Sequence, residues 1–345
     1  MSPQTESWPY LCLIFSYLNL SAAVMKSIKK LNPALNNTRV LVSLRCLVLF
    51  VLLNVAACTV SGPTPARFCE SSSALIDANF PAGNFYQCSF LDASTVAMEI
   101  RPEDAPPINP SPWYAFRVTP KEAGEITVQL NFSSGYPRYW PKVSEDGESW
   151  KPLAAQQVNI LEDSNAMELS LQTDLSTFWV AAQELLLPED YEQWMTALAS
   201  RPGLSKRIIG RSVQGRPINA LETPAKPEVL LFFGRQHPPE VTGALAMQSF
   251  IDSLFAETEL ARRFRQRFAI IIIPLINPDG VVAGHWRHNM NGVDLNRDWG
   301  PFTQPETQSI ETLLSEIDAK EMRPRLMLDF HSTQRSRFYT QLKGE

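Results

Sequence analysis

The chain has 345 residues, of which 44% are hydrophobic and 19% charged, so it can bury the cores of about two domains and is not disordered as a whole. Lysine and arginine total 31 against 36 aspartate and glutamate, a net charge of −5, and no basic run with interleaved aromatic residues occurs outside the N-terminus. This balance argues against a nucleic-acid-binding protein and indicates an acidic folded body.

The first 57 residues are predicted to be an export segment. Basic residues between Lys26 and Arg39 precede an apolar run, residues 41–57, that ends in small side chains. This is the order of regions in a secretory signal. A second apolar stretch, residues 10–24, has no lysine or arginine before it, so Met25 is favoured as the start of the signal.

The apolar run ends in Val55-Ala56-Ala57-Cys58, which resembles the lipobox of bacterial lipoproteins, where the cysteine is lipid-modified and becomes the new N-terminus. We therefore expect a lipoprotein whose lipid on Cys58 anchors it to a membrane facing the periplasm. The outer membrane is favoured because Thr59, rather than an aspartate, follows. An uncleaved transmembrane anchor is less favoured, since the run is shorter than the ~20 residues of a spanning helix and contains Arg45.

Two segments follow the signal. Residues 58–77 are rich in serine, threonine and proline and are predicted to be a tether. Residues 78–187 contain short runs such as TVAMEI, WYAFRV and EITVQLNF between turn signals, a spacing that predicts a small β-sandwich domain. Cys69 and Cys88 are the two cysteines after Cys58, and in an oxidising compartment they can form a disulfide; two separate thiols are an equally open alternative.

The pattern changes in residues 188–345. Apolar runs at 229–234, 268–277 and 325–330 alternate with amphipathic helical segments. Nearly continuous runs of isoleucine, valine, leucine and phenylalanine between such helices predict an α/β domain whose sheet is covered on both faces.

Each of these three apolar runs leads directly into polar residues that can carry chemistry. His237 and Glu240 follow the first run as an H-x-x-E pair, a loop with His285 and Arg287 follows the second, and His331 follows the third. Sites in open α/β sheets form at the carboxyl ends of the strands, so these residues can converge. An H-x-x-E pair alone is a weak signal. Together with a third strand-end histidine it predicts one catalytic zinc ion, because two neutral imidazoles and one carboxylate leave a coordination position open.

Four segments in this order resemble the zinc carboxypeptidases of the M14 family, and within it the bacterial relatives of cytosolic carboxypeptidases. They are GRSVQGRPI, GRQHPPEVTGALA, INPDGVVAGHWRHNMNGVDLNRDW and LDFHST. The earlier stretch with PWYAFRV and YPRYWPKVSEDGESW resembles the N-terminal domain of that branch. The resemblance implies an α/β fold with a zinc-carboxypeptidase-like mixed sheet and flanking helices, preceded by the small β-sandwich.

The resemblance also implies roles for individual residues. It implies zinc ligation by His237, Glu240 and His331. It implies that Arg287 polarises the scissile carbonyl and stabilises its oxyanion, a task suited to a permanently charged guanidinium in a dry site. Asn296 and Arg297 would bind the terminal carboxylate of a peptide substrate, for which an arginine fork is well shaped. Asp294 and Asp298 are expected to orient neighbouring groups rather than to react.

One departure from the family pattern affects activity. In the family, the general-base glutamate, a substrate-capping tyrosine and much of the side-chain pocket lie several tens of residues after the third zinc ligand, whereas this sequence ends fourteen positions after His331. No glutamate before His331 occupies the position of that base. We therefore expect a C-terminally truncated carboxypeptidase domain that binds peptides with a free C-terminal carboxylate and hydrolyses them at a rate near background.

The leading functional hypothesis is a zinc metallocarboxypeptidase that hydrolyses a C-terminal peptide or isopeptide bond. A zinc amidohydrolase that deacylates N-acyl amino acids is the first alternative, because a similar zinc site and carboxylate clamp occur there. A noncatalytic lipoprotein that binds carboxylates is the second. The β-rich N-terminal domain favours the peptidase.

Overall fold

Three β-sheets and five α-helices make up the part of the chain that the computed structural model describes, residues 67–161, 163 and 165–333. These residues all belong to one compact unit, Pro65–Glu345. The predicted export segment 1–57 and the predicted lipidation site Cys58 lie outside the described residues. Among the residues that are described, no helix combines the length and the apolar character needed to cross a bilayer.

The first two sheets form a β-sandwich. Their strands are β1 (Phe68–Glu70), β2 (Ala74–Asp77), β3 (Gln87–Phe90), β4 (Thr95–Ile100), β5 (Ala115–Pro120), β6 (Gly124–Phe132), β7 (Lys142–Ser144), β8 (Lys151–Pro152), β9 (Val158–Leu161), β10 (Ala166–Thr173) and β11 (Phe178–Ala181). One sheet has the order β1-β2-β5-β11-β7-β8 and the other β3-β4-β6-β10-β9. Neighbouring strands are antiparallel except for β4 and β6, which are parallel.

Alternating side chains build the core of the sandwich. In β4, Val96, Met98 and Ile100 are fully buried, whereas the residues between them are partly exposed. Phe116 and Val118 of β5, in the other sheet, belong to the same hydrophobic core. Successive side chains of a strand point to opposite faces, so this alternation places one face of each sheet in a shared interior. The predicted β-sandwich is confirmed.

The sandwich begins earlier in the chain than expected. The predicted tether 58–77 is wrong for residues 68–77, which form β1 and β2. Ile76 is fully buried in the core, and a disulfide joins Cys69 on β1 to Cys88 on β3, with 5.8 Å between their Cα atoms. Because β1 and β3 belong to different sheets, the disulfide links the two layers. These residues form strands despite their polar composition, because Ile76 packs in the core and Cys69 is crosslinked to Cys88.

The third sheet is mixed and carries the helices. Its strands are β12 (Ser205–Arg211), β13 (Pro217–Glu222), β14 (Glu228–Gly234), β15 (Ala269–Ile273) and β16 (Arg323–Phe330), and the helices are α1 (Pro188–Ala199), α2 (Val241–Leu254), α3 (Glu259–Arg267), α4 (Pro278–Ala283) and α5 (Pro305–Ala319). The order is β12-β13-β15-β14-β16. β14 is parallel to both β15 and β16, whereas β12, β13 and β15 pair antiparallel.

Helices cover both faces of the central strands, as predicted. Leu231 and Phe233 of β14 pack with α5 on one face, whereas Leu230 and Phe232 pack with α1 and α2 on the other. All five residues of β15 are buried. This arrangement explains the continuous apolar runs, because a strand covered on both faces has no polar side.

The last strand differs from its neighbours. Residues 325–330 were expected to be buried like the other two runs, but Leu326 is 40% and Met327 52% exposed. This expectation is wrong because β16 stands at the end of the sheet order and pairs with β14 alone among the described strands. The apolar run therefore predicted the strand correctly, but it did not predict the exposure of that strand.

Candidate metal centre and carboxylate clamp

The three predicted zinc ligands converge at one edge of the third sheet. β14 and β16 are parallel neighbours in which Gly234 is paired with Phe330, so both strands end at the same place. His237 and Glu240 lie in the turn after β14, and His331 directly follows β16. One ligand atom from each of these three side chains lies within 4.8 Å of the other two.

A glycine in α2 permits the close approach of the third ligand. A Cβ atom on Gly243 would lie 2.6 Å from the carbonyl oxygen of His331, a distance that side chains do not tolerate. The amide of Gly243 donates to Ser332 Oγ at 2.8 Å, and Thr242 Oγ1 lies 2.7 Å from the same hydroxyl. The start of α2 therefore holds the chain immediately after His331.

The histidine rings present their Nδ1 atoms to the centre. Nδ1 of His237 lies 3.1 Å from one oxygen of Glu240, and Nδ1 of His331 lies 2.7 Å from the other. The Nε2 atoms face outward, to Asp294 at 3.0 Å and to Asp329 at 2.7 Å. A carboxylate that accepts the outer N–H of a histidine leaves the inner nitrogen free as a metal ligand. The donor set therefore fits a zinc ion held by two imidazoles and a carboxylate.

The charges around the centre also favour a cation. Burial raises the pKa of the Glu240 carboxyl, but its hydrogen bonds with His237 and His331 outweigh burial and lower it to about 2. Burial lowers the pKa of His331, whereas the carboxylates of Asp329 and Glu240 raise it to about 10. Three carboxylates, those of Glu240, Asp294 and Asp329, contact the two imidazoles, so the excess negative charge suits a divalent ion.

Asp294 connects the metal centre to Arg287. Its Oδ1 atom lies 3.0 Å from Nε2 of His237, and its Oδ2 atom accepts a hydrogen bond of 2.7 Å from Nε of Arg287. The Arg287 side chain is only 7% exposed. One carboxylate thus holds a ligand and the predicted oxyanion-stabilising guanidinium in a fixed relation. This contact agrees with the expectation that Asp294 orients its neighbours.

The predicted clamp residues, Asn296 and Arg297, lie on the single turn Leu295–Arg297, directly after Asp294. Asp294 Oδ1 accepts the amide of Asn296 at 3.0 Å and so caps this turn. Arg297 is exposed, and its Nη1 atom donates to the carbonyl of Asn296 at 3.0 Å. Asp294 therefore connects the clamp residues to His237, because it caps their turn and also contacts that histidine. The Arg297 guanidinium faces solvent.

Asp298 has a scaffold role instead. Its carboxylate accepts hydrogen bonds from the amide of Gln304 at 2.9 Å and from the amide and hydroxyl of Thr303 at 3.0 and 2.7 Å, and it also accepts one from the hydroxyl of Thr307. These bonds fix the start of α5 behind the clamp.

Sequence reasoning missed the support of the third ligand. Asp329 Oδ2 accepts hydrogen bonds from His331 Nε2 and from Gln236 Nε2, and Gln236 Oε1 accepts from Trp299 Nε1 at 2.9 Å. A signal for Asp329 was available, because residues two apart on a strand project to the same side. The roles of Gln236 and Trp299 had no such signal, since they come from distant segments.

The other two histidines lie outside the centre. Nδ1 of His285 lies 3.1 Å from the carbonyl oxygen of His288, and Nδ1 of His288 lies 2.7 Å from a carboxylate oxygen of Asp104. Asp104 belongs to the sandwich, so this loop contacts the N-terminal region.

A mixed sheet with a His-Glu-His cluster at its strand ends and a neighbouring arginine is an arrangement that suits a metallohydrolase. Two family models match the chain: "Zinc carboxypeptidase" over residues 191–311 and "Cytosolic carboxypeptidase N-terminal domain" over residues 76–182. The chain thus contains an M14 zinc carboxypeptidase domain, matched over residues 191–311, and an N-terminal domain of the cytosolic carboxypeptidase type, matched over residues 76–182.

Relatives of known sequence agree with this assignment. The chain is 25% identical over 250 residues to the uncharacterized protein ZMO1242 of Zymomonas mobilis, a match that covers 70% of this chain and 64% of that protein. It is 32% identical over 135 residues to mouse cytosolic carboxypeptidase 6, covering 36% of this chain and 24% of the mouse protein. The chain thus matches less than two thirds of the length of either relative.

Solved structures show the same fold. A metallo-carboxypeptidase from Pseudomonas aeruginosa, in complex with (2-guanidinoethylmercapto)succinic acid, is 26% identical with a TM-score of 0.61, covering 75% of this chain and 69% of that one. A metallo-carboxypeptidase from Burkholderia cenocepacia has a TM-score of 0.62 at 22% identity and covers 76% of this chain and 71% of that one, which supports the fold alone.

Proposed function

We propose that the protein is a zinc carboxypeptidase that acts on peptides with a free C-terminal carboxylate and hydrolyses the last peptide or isopeptide bond. The observation that carries the proposal is the continuous contact from His237 through Asp294 to Arg287 and to the turn Leu295–Arg297. Metal ligands, an oxyanion-stabilising guanidinium and a carboxylate clamp are the three parts that such a reaction requires.

Each part of the site has a separate task. His237, Glu240 and His331 would hold the zinc ion, which when bound supplies a Lewis acid that polarises a carbonyl and activates water. Arg287 is nearly dry and fixed by Asp294, so its charge is already in place for the oxyanion of the transition state. Arg297 is exposed and can meet the terminal carboxylate of an arriving peptide.

A binding role without turnover is the second candidate. Among the described residues, three carboxylates lie in or against the cluster, and each is already engaged: Glu240 with both histidines, Asp294 with His237 and Arg287, and Asp329 with His331. A general base needs an oxygen within reach of the proton that it removes. Since none of these three carboxylates is free of such contacts, this candidate function is the binding of peptides with hydrolysis near background.

The experiment uses zinc-loaded protein and three ligands. Calorimetry with (2-guanidinoethylmercapto)succinic acid measures binding, and hydrolysis is measured with N-blocked dipeptides and with N-acyl amino acids. The His331→Ala variant is the matched background.

Each result of that experiment selects one reading. Zinc-dependent binding that is lost in His331→Ala, with cleavage of dipeptides, supports the carboxypeptidase. Cleavage of N-acyl amino acids alone selects the deacylase, and binding without cleavage selects the binding role. Equal behaviour of the wild type and His331→Ala would refute all three.

We further propose that the protein is exported and anchored to a membrane through lipid on Cys58, facing the periplasm. The support is the basic region, the apolar run and the Val55-Ala56-Ala57-Cys58 sequence. Mass spectrometry of the mature N-terminus tests this proposal. An unmodified Cys58, or retention of residues 41–57, would contradict it.

A further inference from the structure

A carboxylate of the sandwich binds the backbone of the loop that carries Arg287. Glu103 follows β4, and its Oε2 atom accepts the amide of Trp286 at 2.6 Å. Its Oε1 atom accepts the amides of Arg287 and His288 at 2.8 and 2.7 Å. One side chain of the N-terminal region therefore accepts hydrogen bonds from three successive amides of the other region, about 180 positions away in sequence.

Other sandwich residues hold the same loop from its N-terminal side. The Asn84 side-chain amide donates to the carbonyl of Gly284 at 2.7 Å, and the indole of Trp286 donates to the carbonyl of Trp113 at 3.2 Å. Gly284 has a φ of 68°, and a Cβ atom there would lie 2.8 Å from the carbonyl oxygen of Ala82. The loop therefore approaches the sandwich at contact distance before it reaches Arg287.

The contacts of Glu103 are those of a backbone anchor rather than of a cation site. Glu103, Asp104 and His288 could each offer one ligand atom to an ion. However, both Glu103 oxygens already accept amides, and Nδ1 of His288 lies 2.7 Å from Asp104. The hydrogen bonds to Glu103 therefore orient the peptide groups of residues 286–288. This orientation in turn fixes the direction in which the Arg287 side chain leaves the backbone.

Arg287 is therefore held at two points. Glu103 fixes its backbone amide from the sandwich, and Asp294 fixes its Nε atom from the metal centre. We propose that Glu103 is a positioning residue for Arg287, so that the N-terminal domain sets the geometry of oxyanion stabilisation. This inference rests on the proposed function, in which Arg287 meets the oxyanion. Displacement of such a group by about 1 Å can reduce its effect by about 100-fold.

Two measurements on the zinc-loaded full chain test the proposal. Hydrogen–deuterium exchange reports directly on the amides of residues 286–288. Calorimetry with a phosphinic dipeptide analogue, whose anionic oxygens imitate the tetrahedral transition state, reports on Arg287. The variants are Glu103→Ala, the conservative Glu103→Gln, Arg287→Ala and the double variant. Glu99→Gln is the control, because Glu99 is a carboxylate of β4 that contacts Arg101 and Gln87.

We expect Glu103→Ala to accelerate exchange at 286–288 and to weaken phosphinate binding by about 10- to 100-fold with unchanged zinc content. The double variant should bind no more weakly than Arg287→Ala, because both changes remove the same contribution. Glu103→Gln, which keeps one acceptor oxygen, should recover much of the affinity, and it supplies the test if the alanine variant does not fold.

Wild-type affinity in both Glu103 variants, or effects of Glu103→Ala and Arg287→Ala that multiply, would overturn the positioning role. Failure of the zinc-loaded wild type to bind the phosphinate would instead overturn the proposed function, and with it the role of Arg287. The exchange rates at 286–288 separate these two failures, since Glu103 accepts these three amides whether or not the phosphinate binds.

Discussion

The metal centre and the carboxylate clamp lie side by side, yet they are held very differently. His237, Glu240 and Arg287 are between 2% and 6% exposed, and carboxylates bind each of the basic side chains among them. Arg297 is exposed, and the hydrogen bond that its guanidinium makes here goes to the carbonyl of the preceding residue, Asn296. The geometry of the metal centre is therefore fixed before any ligand binds, whereas the Arg297 side chain would be ordered by the ligand.

This difference has a physical consequence. A preorganised charge does not reorganise during reaction, and therefore contributes fully to transition-state stabilisation. An exposed arginine loses side-chain freedom when a ligand binds, which reduces its net contribution to affinity. The comparison predicts large, cooperative effects for changes in the metal centre and small, independent effects for changes in the clamp.

The largest effect is expected for His237→Ala. Removal of one of three ligands should reduce bound zinc from about one ion per chain to near zero, since the remaining histidine and carboxylate are too few for a stable site. Elemental analysis of purified protein measures this. His285→Ala, which removes a histidine outside the cluster, should keep its zinc. Equal zinc in His237→Ala and the wild type would remove His237 from the ligand set.

A smaller effect is expected for Asp294→Asn. The amide offers one acceptor oxygen, so it cannot serve both His237 and Arg287. Loss of such support typically lowers metal affinity 10- to 100-fold, and competition with a chelator measures it. Asp298→Asn is the matched control, because Asp298 binds Thr303 and Thr307 and does not contact the cluster. If both variants lose zinc equally, Asp294 has no special link to the centre.

Arg297→Ala should affect ligand binding alone. We expect affinity for (2-guanidinoethylmercapto)succinic acid to fall about tenfold, equivalent to about 1.4 kcal/mol, because a charge-assisted contact to the carboxylate is lost. Zinc content should be unchanged, and stability should change by less than about 0.5 kcal/mol, since the side chain is exposed. The ligand affinity of Arg297→Lys should lie between that of the wild type and that of Arg297→Ala. Loss of zinc in Arg297→Ala would contradict the separation of clamp and centre.

The smallest effect concerns pH and two buried carboxylates of the scaffold behind the clamp. Burial raises the pKa of Asp298, but hydrogen bonds from Thr307, Thr303 and Gln304 outweigh it and lower the pKa below its ordinary 3.8. Burial raises the pKa of Glu306, and the hydrogen bond from Asn289 lowers it. The effect of burial is larger, so the pKa lies above its ordinary 4.5.

These shifts predict opposite pH dependences of stability. The contribution of Asp298 should be present above pH 3.8 and be lost as the pH falls further. The contribution of Glu306 should be full below pH 4.5 and be lost as the pH rises above that value. Urea unfolding of the wild type, Asp298→Asn and Glu306→Gln from about pH 2 to about pH 7, a range that extends below and above both ordinary pKa values, measures both differences. Differences with the same slope would contradict the assignment.

Much of the candidate site was predictable from local sequence. The apolar runs before His237 and His331 predicted strands, and strand ends are where sites form, so the ligand set followed without coordinates. The M14 resemblance supplied the role of Arg287. Asp329 was within reach of the same reasoning, because it lies near the end of β16, two residues before His331.

Burial and long-range support were not predictable in this way. The run 325–330 has the composition of a buried strand, yet its position at the end of the sheet order leaves Leu326 and Met327 exposed. Nothing local to Glu103 indicates that it binds the backbone at Arg287, because hydrophobic periodicity describes one segment and not its partner. The segment 68–77 likewise contributes β1 and β2 to the sandwich, where Ile76 lies in the core and Cys69 is bonded to Cys88.

The sequence by itself determined the elements and the donor set, because strand pattern, turn residues and ligand types are local properties of the chain. The sequence was sufficient to predict His237, Glu240 and His331 as the donor residues. It was also sufficient to predict an α/β domain that follows a β-sandwich. Tertiary structure alone decided the orientation of the donors: which nitrogen of each histidine faces inward, which carboxylate holds Arg287, and which region anchors its loop. Those choices depend on contacts between residues up to 200 positions apart, which arise only when the two regions pack together.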